Sequence, residues 1–78
     1  MSSFRPIRTK CWEKFLESKK CKFKSINASH HKWDCPNCMR SIIFRGAEKE
    51  IPFFHIQNDL RTMGVDKSEF LEWVANNC

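Results

Sequence analysis

The sequence predicts a single α+β domain in which a three-stranded antiparallel meander is flanked by helices, in the order α-β-β-β-α-α. The apolar residues repeat at helical spacing near both ends of the chain and every second residue in the middle. Residues with turn chemistry stand where one period gives way to the other.

Trp12, Phe15 and Leu16 fall at i, i+3 and i+4 behind Thr9, an acceptable N-cap, so a first helix is expected over residues 9–19. Ser18, Lys19 and Lys20 close it with cations that suit the negative end of a helix dipole. From Cys21 to Ile26 the period becomes two, with Cys21 and Phe23 on one face and Lys22 and Lys24 on the other, as in a half-buried strand. Asn27 and Ala28 form a turn. His31 and Trp33 then alternate with Lys32 and Asp34 in a second short strand that runs into Cys35-Pro36-Asn37-Cys38, which is turn chemistry. Met39 to Arg45 contains Ile42, Ile43 and Phe44, a β-branched and aromatic run suited to a central strand. Gly46 to Glu50 is a polar connection, and Pro52 sits where a helix begins. Phe53, Ile56, Leu60 and Met63 keep helical spacing up to Gly64, which fits a left-handed cap. Asp66 with Glu69 resembles a capping box opening a last helix striped by Phe70, Trp73 and Val74.

Seventy-eight residues make one domain, 1–78, with residues 1–8 as an N-terminal extension. A chain this short buries only about 60% of its unfolded surface, so its core is a single small layer. With 41% hydrophobic residues, including three Trp and seven Phe, it is expected to fold rather than stay disordered. No apolar run approaches the roughly 18 residues that cross a bilayer. Met1 to Lys10 lacks the apolar stretch of a signal peptide, so the expectation is a cytoplasmic protein that does not meet a membrane. The formal charge of +5 and a pI near 9.1 point to nucleic acid as a partner, with plain solubility as the alternative use of the charge. The five cysteines, an odd number without an export signal, read as reduced thiols rather than a disulfide framework, with Cys78 mobile at the carboxyl end.

Ala28-Ser29-His30-His31, Glu48-Lys49-Glu50-Ile51 and Leu60-Arg61-Thr62-Met63-Gly64-Val65, followed by Glu69-Phe70-Leu71, occur in an order and spacing that resemble the HicA (YcfA-like) toxins of type II toxin–antitoxin systems. The similarity spans about Thr9 to Val74. It implies a double-stranded-RNA-binding-domain-like fold with the helices on one face of the sheet, an mRNA interferase activity without a cofactor, and a HicB-type antitoxin as the neutralising partner. Two features depart from the family pattern. Ala28 stands where the family usually has glycine, and the hairpin carries Cys35 and Cys38.

The residues themselves suit that chemistry. RNA carries its own nucleophile, the 2′-hydroxyl, and a histidine with an ordinary pKa of about 6.5 is largely neutral at cytoplasmic pH and able to take its proton. His30 and His31 are the candidate general bases. On a strand they face opposite sides, and His30 shares parity with Lys32 while His31 shares the face of Trp33, which favours His30 as the base and His31 as an orienting residue. Lys22, Lys24, Lys32 and Arg40 are the candidate phosphate contacts, and Ser29 could bond the backbone or the substrate. His55, in the first turn of the second helix, is left outside the site, and the three tryptophans are assigned mainly to the core. Cys35 and Cys38 have the spacing of half a zinc site and would need two ligands from elsewhere. A non-catalytic RNA-binding module and a zinc-stabilised adaptor are the competing readings.

Overall fold

A computed structural model describes residues 5–78 of the chain, so Met1 to Phe4 of the expected extension lie outside the described residues. The elements are β1 (Ile7–Arg8), α1 (Thr9–Ser18), β2 (Lys22–Asn27), β3 (His30–Asp34), β4 (Ile42–Arg45), β5 (Glu50–Ile51), α2 (Phe53–Met63) and α3 (Lys67–Asn77). β2, β3 and β4 form the expected antiparallel meander in that order. The α+β layout is therefore present, and a short β1–β5 ladder, Ile7↔Ile51 and Arg8↔Glu50, is added to it.

That small ladder changes how α1 begins. Thr9 was expected as the N-cap, but Arg8 takes that place and Thr9 is the first helical residue. Pairing of residues 8 and 50 brings the connection beside the helix start, where the Thr9 hydroxyl donates to the Glu48 carbonyl at 2.5 Å and its N–H to the Lys49 carbonyl at 2.9 Å. These bonds satisfy one of the orphan donors of a helix N-terminus from outside the helix. Cys11, Trp12, Phe15 and Leu16 then bury the predicted stripe. The helix ends through Lys20 in the left-handed region at φ 66°, with the Cys21 N–H bonded back to the Leu16 carbonyl at 2.9 Å.

Two strand expectations need correction. All six residues of β2 are exposed, not half-buried. β2 is an edge strand, so its inward residues Phe23 and Ile26 project past the helices and remain 50% and 57% exposed. The run expected as a central strand is shorter than Met39–Arg45 and lies at the opposite edge, leaving β3 in the centre. Ile42 and Phe44 point inward and are buried, while Ile43 and Arg45 point out. α2 covers that edge, with the Asp59 carboxylate accepting a hydrogen bond from the Ile43 backbone N–H.

Pro52 caps α2 rather than starting it, and Gly64 ends it at φ 73°, as its position suggested. At α3 the expected capping box is absent. Asp66 is the N-cap but makes no side-chain cap bond, and the Glu69 carboxylate reaches across to Lys19 of α1, 2.6 Å away, rather than back to the helix start. The α1–α3 contact is aromatic, with the Phe70 ring 4.8 Å from Phe15 and 5.4 Å from Trp12. Trp12 and Trp33 are buried and Trp73 is partly buried against the same cluster, so all three serve the core. Phe70 is fully buried, and its loss to alanine should cost about 3–5 kcal/mol.

The cysteines depart from expectation most. Cys11 is bonded to Cys78 and Cys21 to Cys35, so four of the five are in disulfides. Packing of α3 along α1 carries the C-terminus to Cys11, which overturns the view of Cys78 as mobile. The start of β2 and the end of β3 are neighbours in the ladder, which puts the Cα atoms of Cys21 and Cys35 4.0 Å apart. Among the described residues no helix is long and apolar enough to cross a membrane.

Candidate nucleic-acid interface

The β2–β3 hairpin decides where the histidines point. Asn27 pairs with His30 across a turn of two residues, Ala28 and Ser29, and Ala28 adopts φ 58°. A tight hairpin requires this left-handed geometry, which glycine meets freely and alanine only at a cost. Ala28 thus holds a backbone angle that glycine adopts freely.

Cross-strand partners share a face, and consecutive rows alternate. The first row is Asn27, His30 and Arg45; the next is Ile26, His31 and Phe44; the third is Ser25, Lys32 and Ile43. The buried row Trp33–Ile42 marks the inner face, and Phe44 shares it. His31 therefore lies inward and His30 outward, as parity required. The outer face carries Asn27, His30, Lys32 and Arg45. Lys24 reaches it from the irregularity between Phe23 and Ser25, where its ammonium stands 3.7 Å from Asp34. Both partners of that ion pair are more than half exposed, so it adds little stability.

His30 and Arg45 are directly opposed and both exposed. Among the described residues His30 makes no side-chain hydrogen bond or ion pair, which leaves both ring nitrogens available. His31 is held instead. Its Nδ1 is 3.9 Å from a Glu13 carboxylate oxygen of α1, its ring centroid lies 5.9 Å from Phe23 and 5.8 Å from Phe44, and its side chain is 19% exposed. Gly46 closes the last side, since a Cβ there would collide with the imidazole ring. Beside this histidine a cleft of about 630 Å³ opens between the start of α1 and the β4–β5 connection, lined among others by Arg8, Lys10, Glu13, Gly46 and Lys49.

The structure gathers only part of the predicted set. Lys32 and Lys24 share the face of His30, and Ser29 adjoins it in the turn. Lys22 pairs with Asp34 at the far end of the ladder. Arg40 lies in the loop between β3 and β4, also at that end, four residues of strand or roughly 13 Å from His30. Asp34 there is bonded by the Ser41 hydroxyl at 2.7 Å. His55 is exposed on α2 and lines a cleft with Arg45, Glu48 and Glu50. Arg45 and Glu13 were missed. The alternation of Ile42 and Phe44 already places Arg45 outward, whereas nothing local marks Glu13 as the partner of His31.

The half zinc site is not assembled. Cys35 is consumed in a disulfide with Cys21, Cys38 is the free thiol, and among the described residues no group of three or more metal-binding side chains comes together. Comparison with protein-family models, with curated proteins and with solved structures returns no match.

Proposed function

We propose that this protein is an endoribonuclease of the HicA toxin type, cutting mRNA without a metal ion through His30 and held in check by a HicB-like antitoxin. The double-stranded-RNA-binding-domain-like fold and the cytoplasmic setting belong to the same reading. The observation that carries it is the His30–Arg45 pair, a free imidazole facing a guanidinium across an exposed, cationic sheet face.

Arg45, Lys32 and Lys24 bind the phosphates, Arg45 in a fork suited to two phosphate oxygens. His30 takes the proton of a 2′-hydroxyl, the 2′-oxygen attacks the adjacent phosphorus, and the 5′-oxygen leaves and is protonated. The products are a 2′,3′-cyclic phosphate and a 5′-hydroxyl end. A positioned base of this kind supplies about 10² to 10⁴ in rate, and the guanidinium offsets charge on the phosphorane. Beside His30 this face offers cations, and Asp34, at the far end of the same face, is engaged by Lys24 and Ser41, a donor set that repels rather than holds a divalent ion. His31, braced by Glu13 and Gly46, fixes the strand that presents His30.

The freedom of the His30 side chain also favours a second reading, a module that binds RNA without cutting it, because no carboxylate orients the imidazole. Incubating a long single-stranded RNA with the wild type, with His30→Ala and with His31→Ala in excess EDTA tests both. Cleavage lost in His30→Ala with RNA binding retained supports the nuclease. RNA bound by all three and cut by none leaves the binding module.

A further inference from the structure

The Cys35-Pro36-Asn37-Cys38 segment has no part in the RNA chemistry. Its backbone is closed by a bond from the Cys38 N–H to the Cys35 carbonyl at 3.2 Å, which sets the free thiol one turn from a bridged sulfur. The bridged pair is unequal. Cys21 is 5% exposed beneath the corner between α1 and β2, whereas Cys35 is only half-buried and so is the sulfur open to attack. The disulfide stands at the end of the β2–β3 ladder, where Lys22↔Asp34 and Phe23↔Trp33 are cut off from the remaining pairs by the register shift before Ser25. The cross-link thus secures two pairs that the rest of the ladder does not.

We propose that this turn is a thiol–disulfide exchange site in which Cys38 resolves the Cys21–Cys35 disulfide. The Cys38 Sγ, as thiolate, attacks the Cys35 Sγ. The Cys35–Cys38 bond forms, the Cys21–Cys35 bond breaks, and the electron pair leaves on the Cys21 Sγ, which takes up a proton in place of the one Cys38 gave up. One disulfide and one thiol exist before and after, so no outside oxidant or reductant is consumed. Once Cys21 is released, the start of β2 with Lys22 and Phe23 is held by its ladder bonds and by the contacts of the Phe23 ring with His31 and Trp33, without a covalent tie. Burial raises the Cys38 thiol above its ordinary 9.0, so the thiolate is scarce at neutral pH and the exchange accelerates as pH rises.

The test uses the oxidised full-length protein and Cys38→Ser. Each is incubated without added thiol at neutral and at mildly alkaline pH, quenched in acid, alkylated at its free thiols and cleaved after aromatic residues. That cleavage puts Cys21 on Leu16–Phe23 and keeps Cys35 with Cys38 on Asp34–Phe44. The expected result is that the alkyl label moves from Cys38 to Cys21 while Asp34–Phe44 becomes internally bridged, about tenfold faster for each pH unit, as the thiolate fraction grows. Cys38→Ser, which retains both disulfides, should show no label at Cys21. A label that stays on Cys38 at both pH values overturns the proposal. So does a rate of label transfer that rises in proportion to protein concentration, which would mark exchange between molecules. Three thiols that resist alkylation until a chelator removes bound zinc would overturn it as well. None of these readouts involves RNA, so they stand apart from the ribonuclease reading.

Discussion

Asp59 on α2 and Ile43 on β4 are joined by a hydrogen bond from the Ile43 backbone N–H to the Asp59 carboxylate, while Asp59 Oδ2 is buried without a partner. The bond fills a vacancy in the edge of the sheet and favours the ionised carboxylate. Burial outweighs it and pushes the carboxyl from 3.8 up to about 7.

A pH dependence of stability follows. Because the folded pKa lies above the unfolded one, the folded state holds this proton more tightly. The contribution is fully present below 3.8, declines as pH rises, and is gone above about 7. Its ceiling is about 4 kcal/mol by the rule of 1.36 kcal/mol per unit, and solvent screening at a half-buried residue lowers it. Asp59→Asn keeps an acceptor for the Ile43 N–H and carries no charge. Urea midpoints compared at pH 5 and pH 8 should show the variant gaining on the wild type as pH rises, with a clearly larger margin at pH 8. Equal midpoints at both would show that the carboxylate is not burdened by burial.

Ala28 occupies a left-handed angle at φ 58°. Such an angle costs an ordinary residue about 1–2 kcal/mol, part of which glycine returns through its freer unfolded chain. Ala28→Gly should therefore raise the stability by about 0.5–1 kcal/mol, read as a higher melting temperature. RNA cleavage should be unchanged, because the turn already has the required shape.

Gly46 and His31 are in close contact, so Gly46→Ala should cost about 1–3 kcal/mol by overpacking. The same substitution in a His31→Ala background should cost much less. A double-mutant cycle reads the coupling directly, and additive effects would mean that the two residues do not press on one another.

The Cys11–Cys78 disulfide closes a separation of 67 residues and ties α3 to α1. Cys78→Ser should lower stability by about 2–4 kcal/mol in denaturant titrations of the oxidised protein. The Phe15–Phe70 contact should loosen with it, visible as faster amide exchange along α3.

Arg45 and Lys32 provide the last test, on the face proposed to meet RNA. Replacing either by alanine should weaken binding to single-stranded RNA and reduce the slope of log affinity against log salt by about 0.7. Lys22→Ala and Arg40→Ala, at the far end of the sheet, should reduce it by less. Equal slopes for all four would place the RNA elsewhere.

Periodicity alone was enough for the three helices and the three-stranded meander, though not for the short β1–β5 ladder, because burying one face imposes a spacing that each longer segment carries by itself. Trp12, Phe15 and Leu16 could only form one helical stripe, and His31 with Trp33 could only share a strand face. Gly64 announced its own left-handed cap. The opposed directions of His30 and His31 were legible for the same reason, since alternation along a strand is a local property. Pairing between distant segments is a different kind of information. Phe23 reads as an inward residue, yet β2 lies at the edge and the helices do not reach it. Glu69 reads as a capping residue, but Lys19 of another helix is the better partner once α1 and α3 pack. Cys11 with Cys78, Cys21 with Cys35, Glu13 with His31 and Asp59 with Ile43 are all contacts between segments far apart in the chain or on separate elements. No residue can announce such a partner, because the free energy that selects it is realised only when the whole core closes.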